Sequence, residues 1–307
     1  MKRIAHLFPG QGSQAVGMGR NFFERSEQAR ELFIKADEAL GYELSRLCFE
    51  GPEEELKLTR NTQPALLVVS TIASRLLGAE PAVAAGHSLG EYSALVAAGS
   101  LAFEEAVKLV HKRGRYMQEA VPVGEGAMAA LLGAERQAVI NGLAQVRSGI
   151  AEVANWNSPE QTVIAGDKAA VEEAVSLIKA PRSVFLPVSA PFHTSLMKSA
   201  EEKLAADLDR TVFHDLRFPV VTNVDARPIR RGEEARDALK RQVSRPVLWH
   251  ESMERLKGES VSHFVELGSG KVLSGLLKRI GRGWPQPFTM LNVEDMESLE
   301  KARTALA

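Results

Sequence analysis

The chain has 307 residues, 45% of them hydrophobic and 25% charged, with a formal net charge of −1; this fits one large globular domain or a large domain with a smaller companion. A near-neutral balance leaves no electrostatic footprint for nucleic acid or an anionic membrane surface, and a single cysteine, Cys48, rules out an internal disulfide framework or a cysteine-based zinc site. No apolar run reaches the length of a bilayer span and the N-terminal one is too short for a signal peptide, so a cytoplasmic location is expected.

Residues 3–8 predict a buried strand that opens into Pro9-Gly10-Gln11-Gly12-Ser13-Gln14-Ala15. Gly10, Gly12 and Ala15 have the spacing of a dinucleotide fingerprint, but that fold requires a second strand ending in an acidic residue about twenty positions on. Residues 21–40 are instead charged and helical in period, with Phe22, Leu32, Phe33, Ala36 and Leu40 as the apolar positions. The loop reads better as a glycine-flexed turn at the carboxyl end of a strand, where open α/β sheets bind ligands. A further helix is expected to begin at Thr62-Gln63-Pro64 and to stop at Gly78.

Gly86-His87-Ser88-Leu89-Gly90 lies between the apolar run 81–85 and the helix-prone run 91–98. In that strand, turn and helix context Gly-x-Ser-x-Gly has a mechanical meaning: small residues on either side permit a strained turn that holds the serine hydroxyl clear of the sheet. Ser88 is therefore the candidate nucleophile, and the Leu89 N–H at the helix start is free to face an oxyanion. The alternative is an ordinary glycine-punctuated turn.

A longer helix is predicted over 103–118, where Ala106, Val110, Arg113 and Met117 fall on one stripe. Arg113 is thus an arginine on an apolar face. Such a residue pairs with a local carboxylate, or snorkels to water, or captures a substrate carboxylate bidentately in a dry pocket.

From Gly124 the pattern becomes strand 127–133, helix 135–146, strands 150–156 and 162–166, helix 168–179 and strand 183–188. This β-α-β-β-α-β order is ferredoxin-like, and residues 124–189 are read as an insertion into a larger domain formed by 1–123 and 190–307. The chain returns at Ser189-Ala190-Pro191-Phe192-His193, ahead of a helix over 195–208. His193 stands at this return; the other six histidines are assigned structural roles, with His87 shaping the serine turn. Residues 218–223 and 261–266 are strand-like, 242–246 is an irregular approach to a helix, and Gly268-Ser269-Gly270-Lys271 is a strand-to-helix turn that lacks the spacing of a phosphate-binding loop.

Six blocks together resemble the malonyl-CoA:acyl carrier protein transacylases: Phe8-Pro9-Gly10-Gln11-Gly12-Ser13-Gln14; Gly86-His87-Ser88-Leu89-Gly90-Glu91-Tyr92; Arg113-Gly114 with Met117-Gln118-Glu119-Ala120; Asn157-Ser158-Pro159 with Gly166; Ala190-Pro191-Phe192-His193; and Gly268 with Gly270-Lys271-Val272-Leu273. The family includes enzymes of bacterial fatty acid synthesis and acyltransferases serving polyketide synthases, and the likeness runs over residues 4–293. It implies an α/β-hydrolase-like large domain with an inserted ferredoxin-like small domain. It further implies ping-pong transfer of malonyl from malonyl-CoA to the phosphopantetheine thiol of an acyl carrier protein, an activity of the EC 2.3.1.39 type. No metal and no tightly bound cofactor is implied, since coenzyme A and phosphopantetheine arrive with the substrates.

The resemblance also implies roles. Ser88 would attack the thioester, His193 would act as base, the backbone N–H groups of Gln11 and Leu89 would form the oxyanion hole, and Arg113 would hold the malonyl carboxylate. The Gln242 carbonyl would orient His193, and Phe192 and Met117 would set substrate selectivity. A substrate lacking the carboxylate would leave a buried cation unpaired at about 3–5 kcal/mol. Two rivals remain: an acyl hydrolase or thioesterase on the same scaffold, for which a buried Arg113 has no use, and a non-catalytic partner, for which Ser88, His193, Gln11 and Arg113 need not all be present. An acidic carrier protein would dock on a basic surface, for which Lys179, Arg182, Lys271, Lys278, Arg279 and Arg282 are candidates.

Overall fold

A computed structural model describes residues 2–188 and 190–307; the expected domain limits at residues 1 and 189 lie outside them. Among the described residues ten strands build two sheets: β1 (Ile4–Phe8), β2 (Val83–Gly86), β3 (Gly126–Leu132), β4 (Ala151–Ser158), β5 (Gln161–Asp167), β6 (Arg182–Phe185), β7 (Val220–Val221), β8 (Pro228–Ile229), β9 (His263–Leu267) and β10 (Thr289–Val293).

The large sheet has the order β10-β9-β1-β2-β7-β8 and is parallel except for β8. Its central strands are mostly apolar because both faces are covered, with His6 and Glu266 as buried polar exceptions. Ala5, Leu7, Val83 and Ala85 point to one face, with Trp249 and Leu273 from the helices Trp249–Gly258 and Val272–Ile280. Phe8, Ala84, Val220 and Val265 point to the other, against the helices Glu27–Leu40, Thr59–Leu77 and Phe103–Glu119. The alternation is the two-residue period of a strand.

The small sheet is antiparallel with the order β4-β5-β3-β6. Two helices, Arg136–Leu143 and Lys168–Ile178, cover one face around Ala129, Leu131, Ile164 and Val171. On the opposite face Met128, Ala130, Val163 and Ala165 belong to the main core. The small sheet therefore lies against the large unit with an apolar face, and backbone bonds fasten it there: Trp156 N–H donates to the Val247 carbonyl at 2.9 Å and Val247 N–H to the Ala154 carbonyl at 2.9 Å.

Three local readings differ from the expectation. The helix expected to start at Thr62 starts at Thr59, with Pro64 inside it. A proline has no N–H for the carbonyl four residues back, which here is that of Arg60; the His111 ring satisfies it from the neighbouring helix, Nδ1 lying 3.0 Å away. Residues 21–40 divide into Arg20–Arg25 and Glu27–Leu40, because Ser26 turns extended and its side chain accepts from Ala29 N–H to cap the second helix. The irregular stretch after Gln242 follows a regular helix, Gly232–Gln242, whose mostly polar sequence hides its narrow buried face of Ala235, Ala238, Leu239 and Gln242. Among the described residues no helix is long and apolar enough to cross a membrane.

Candidate active site

Ser88 sits on the turn between β2 and the helix Gly90–Ala97, with φ 52°. A non-glycine residue in the left-handed region costs about 1–2 kcal/mol, so the surrounding contacts must impose it. The two glycines of the motif supply the space: a Cβ on Gly86 would lie 1.9 Å from the Gly90 carbonyl, and one on Gly90 would lie 2.0 Å from the Phe8 oxygen. Asn223, just after β7, then fastens the turn. Its Oδ1 accepts from Ser88 N–H at 2.7 Å and its Nδ2 donates to the Gly86 carbonyl at 2.7 Å.

His193 is the second left-handed residue at the site, with φ 63°, and is 4% exposed. Its Nε2 lies 2.7 Å from Ser88 Oγ and its Nδ1 2.9 Å from the Gln242 main-chain oxygen. A carbonyl only accepts, so Nδ1 carries the proton, leaving the Nε2 lone pair for the serine hydroxyl. Burial first, and then the Arg113 charge, push this imidazole down to about 3. The ring is therefore neutral and able to take a proton throughout the physiological range.

The pH dependence follows. Acylation of folded protein is expected to show no acid limb near the ordinary histidine value of 6.5; a kcat/KM profile with a midpoint there, recorded from pH 5.5 to 7.5 with folding checked by circular dichroism, would contradict this assignment. Stability behaves differently. In the unfolded chain the ring regains a pKa of 6.5, so the contribution of its neutral form is complete above that pH and declines as pH falls toward 3.

Arg113 is 1% exposed and reaches the same centre from the helix Phe103–Glu119. Nη1 donates to Gln63 Oε1 at 2.8 Å, and Nη2 donates to Gln242 Oε1 at 2.8 Å and to Ser88 Oγ at 3.3 Å. The guanidinium also lies over the Tyr92 ring, 5.4 Å from its centroid. Its acceptors within hydrogen-bond reach are neutral, so its charge is not cancelled by direct contact with a carboxylate. Next to the serine is therefore a cation held by groups that a better acceptor can displace.

A cavity of about 230 Å³ opens here, lined by Ser88, His193, Arg113, Gln11, Met117 and Phe192 among others. The Gln11 loop is pressed against the serine turn, since a Cβ on Gly10 would meet the His87 oxygen at 2.4 Å. Among the described residues the backbone N–H groups of Gln11 and Leu89 have no hydrogen-bond partner. On the far side of Gln11 a second cavity of about 520 Å³ runs under the small sheet toward Lys271 and Arg279. His87 ties the two units together, with Nε2 2.8 Å from Asn157 Oδ1 and its ring against Trp249 at 5.4 Å.

The structure thus brings Ser88, His193, Arg113, Gln11, Leu89, Gln242, Phe192 and Met117 to one place. Sequence reasoning missed Gln63, Asn223 and Glu91, and it considered only the main chain of Gln242. Gln63 carries a detectable signal, a polar residue in phase with the buried Leu66, Leu67 and Ser70 of its helix. Asn223 carries none, following an apolar strand where many polar residues would serve.

Comparisons with known proteins agree in extent and kind. The family described as an acyl transferase domain matches residues 5–297. The malonyl CoA-acyl carrier protein transacylase of Bacillus subtilis is 46% identical, covering 98% of this chain and 96% of that one. The enzyme of the same name from Escherichia coli K12 is 47% identical over 91% of this chain and 93% of its own. Among solved structures, the malonyl CoA-acyl carrier protein transacylase of Coxiella burnetii superposes with a TM-score of 0.96 at 40% identity, covering 99% and 98% of the two chains. A malonyl-transacylase in complex with its type II PKS acyl-carrier protein gives 0.95 at 42% identity, covering 99% and 100%.

Proposed function

This chain belongs to the acyl transferase family, and from that premise we propose that its cavity carries malonyl from coenzyme A to an acyl carrier protein through a malonyl-serine. The observation that carries the reading is the placement of Ser88 Oγ between His193 Nε2 at 2.7 Å and Arg113 Nη2 at 3.3 Å. A nucleophile with a base on one side and a carboxylate anchor on the other suits an acyl group that ends in a carboxylate.

In the first half-reaction Ser88 Oγ attacks the thioester carbonyl while its proton passes to His193 Nε2. The oxyanion forms against the Gln11 and Leu89 N–H groups. As the tetrahedral intermediate collapses, the C–S bond breaks and the departing coenzyme A thiolate takes the proton from His193 and leaves as the thiol. In the second half-reaction the phosphopantetheine thiol gives its proton to His193 and attacks the acyl-serine, and Ser88 regains the proton as it leaves.

Arg113 has two effects in this scheme. It binds the malonyl carboxylate with charge-assisted hydrogen bonds. It also adds to the burial that keeps the base neutral, because its positive charge opposes protonation of His193. A malonyl carboxylate cancels that charge and thereby favours the imidazolium formed during attack. The proper substrate raises the proton affinity of the base that activates the nucleophile, which an acetyl group cannot do.

The carrier is one of fatty acid or polyketide synthesis, since the site reads only the malonyl thioester and the pantetheine arm common to both, and a cytoplasmic location is part of the same reading. Coenzyme A and phosphopantetheine enter with the substrates. For the carrier, the candidate cations differ in availability: Lys271 pairs with Glu294 at 3.1 Å and Arg282 with Glu160 at 3.0 Å, while Lys179 and Arg182 are exposed on the small unit. Phe192 borders the cavity beside His193, and in this reading its bulk is what leaves no room for a methyl branch on the acyl group. Phe192→Ser is expected to raise the kcat/KM for methylmalonyl-CoA by at least about tenfold relative to malonyl-CoA. An unchanged ratio would remove Phe192 from the selectivity account.

Intact-mass spectrometry after brief exposure to malonyl-CoA tests the whole reading. A malonyl adduct on Ser88 that discharges onto added acyl carrier protein supports transfer. Release of free malonate at the same rate with or without the carrier identifies a hydrolase instead.

A further inference from the structure

The side chain of Gln242 joins the base to the carboxylate anchor, and a buried glutamate acts with the Ser88 carbonyl to fix which way it faces. Gln242 uses its main-chain oxygen for His193 and its Oε1 for Arg113. Its Nε2 donates to the Ser88 carbonyl at 2.9 Å and to Glu91 Oε2 at 2.8 Å. An amide can be turned over, exchanging oxygen for nitrogen at little steric cost. Turned over, Gln242 would present N–H groups to the Arg113 guanidinium and push the fork away from Ser88, where a malonyl carboxylate would meet it, while its Oε1 would face the Ser88 carbonyl and Glu91.

We infer that Glu91 is a positioning residue that, together with the Ser88 carbonyl, locks the Gln242 amide with its oxygen toward Arg113, and so maintains the site's preference for a carboxylate-bearing acyl group. This rests on the transfer reading above. Glu91 is 1% exposed, is the second residue of the helix after the nucleophile, and does not line the cavity. Its Oε2 accepts from Gln242 Nε2 and also from Asn223 N–H at 3.0 Å. Two donors converge on one oxygen, so that oxygen stays an acceptor in either protonation state; a proton would reside on Oε1. Burial raises this carboxyl to about 7, against the opposing pull of Gln242, Asn223 and Arg113, yet the lock does not depend on its charge. Asn223, the residue that pins the serine turn, is held by the same oxygen. Ser88, Arg113 and His193 are thereby referenced to one buried carboxyl group.

Glu91→Ala and Glu91→Gln separate this role from a general contribution to folding. Kinetic constants for malonyl-CoA and acetyl-CoA are measured beside the malonyl-serine adduct of the unaltered protein. Glu91→Ala is expected to reduce the malonyl-over-acetyl ratio of kcat/KM at least about tenfold, the size of one charge-assisted hydrogen bond. Glu91→Gln is expected to keep the ratio within about threefold, because its amide oxygen can take the place of Oε2. A purely structural role lowers both constants together and leaves the ratio unchanged in Glu91→Ala, which would overturn the inference. Should Glu91→Ala not fold, loss of the ratio in a folded Glu91→Gln overturns it too, since charge rather than amide orientation would then be responsible. In a Gln242→Ala background, Glu91→Ala is expected to change the ratio no further; an additive change overturns the proposed route through Gln242. If the unaltered protein forms no malonyl-serine, the transfer reading itself fails, an outcome distinct from all of these.

Discussion

Ser88→Ala is expected to lower malonyl transfer by on the order of 10⁴-fold or more while leaving the fold intact, in line with removal of a serine nucleophile elsewhere. The hydroxyl has three roles that no neighbour can assume: it forms the acyl bond, it gives its proton to His193, and it accepts from Arg113. Mass spectrometry should find no malonyl adduct, and circular dichroism should match the unaltered protein. Because Ser88 has φ 52°, Ser88→Gly provides an internal control. Glycine adopts that backbone without strain, so Ser88→Gly should be as inactive as Ser88→Ala but more resistant to thermal unfolding, by about 1 kcal/mol. A stabilised, inactive protein would show that the fold holds strain at the nucleophile. Residual adduct in Ser88→Ala would place the acyl group elsewhere and remove Ser88 from the mechanism.

Arg113→Ala is expected to reduce malonyl kcat/KM by about 10- to 150-fold while acetyl turnover holds or rises, because the charge that opposes protonation of His193 leaves with the side chain, so that discrimination between the two collapses. The figure follows from about 1.5–3 kcal/mol for hydrogen bonds to a charged group, at about 1.4 kcal/mol for each factor of ten. It is smaller than an unpaired buried cation would require, and the structure supplies the reason. Gln63 and Gln242 already accept from the guanidinium, so an acetyl group leaves Arg113 with neutral partners rather than with none. Parallel assays with malonyl-CoA and acetyl-CoA measure the ratio. Arg113→Lys tests the geometry, since an ammonium keeps the charge but cannot span Gln63, Gln242 and a carboxylate as the planar fork does. Full malonyl preference in Arg113→Lys would reduce the arginine to a point charge and contradict the bidentate account.

What could be read from the sequence was whatever depends on near neighbours in the chain. The serine turn was legible because a strained strand-to-helix turn needs small residues at Gly86 and Gly90, and both lie within two positions of Ser88. Arg113 was legible because helical periodicity puts it in phase with Ala106, Val110 and Met117, all of which are buried. The strand and helix order of the small unit was legible from its local patterns, whereas the order of the strands in its sheet, β4-β5-β3-β6, came with the fold. Even where the local signal misled, as at Thr62, the error was one turn of a helix whose proline is accommodated by His111 from elsewhere in the fold. The tertiary structure alone decided the polar framework around the site. Gln63, Glu91, Asn223 and Gln242 come from four separate segments, and no spacing in the chain relates them. Periodicity states which residues turn inward but not which polar groups meet, because hydrogen-bond partners inside a protein are chosen by the packing of whole elements against one another.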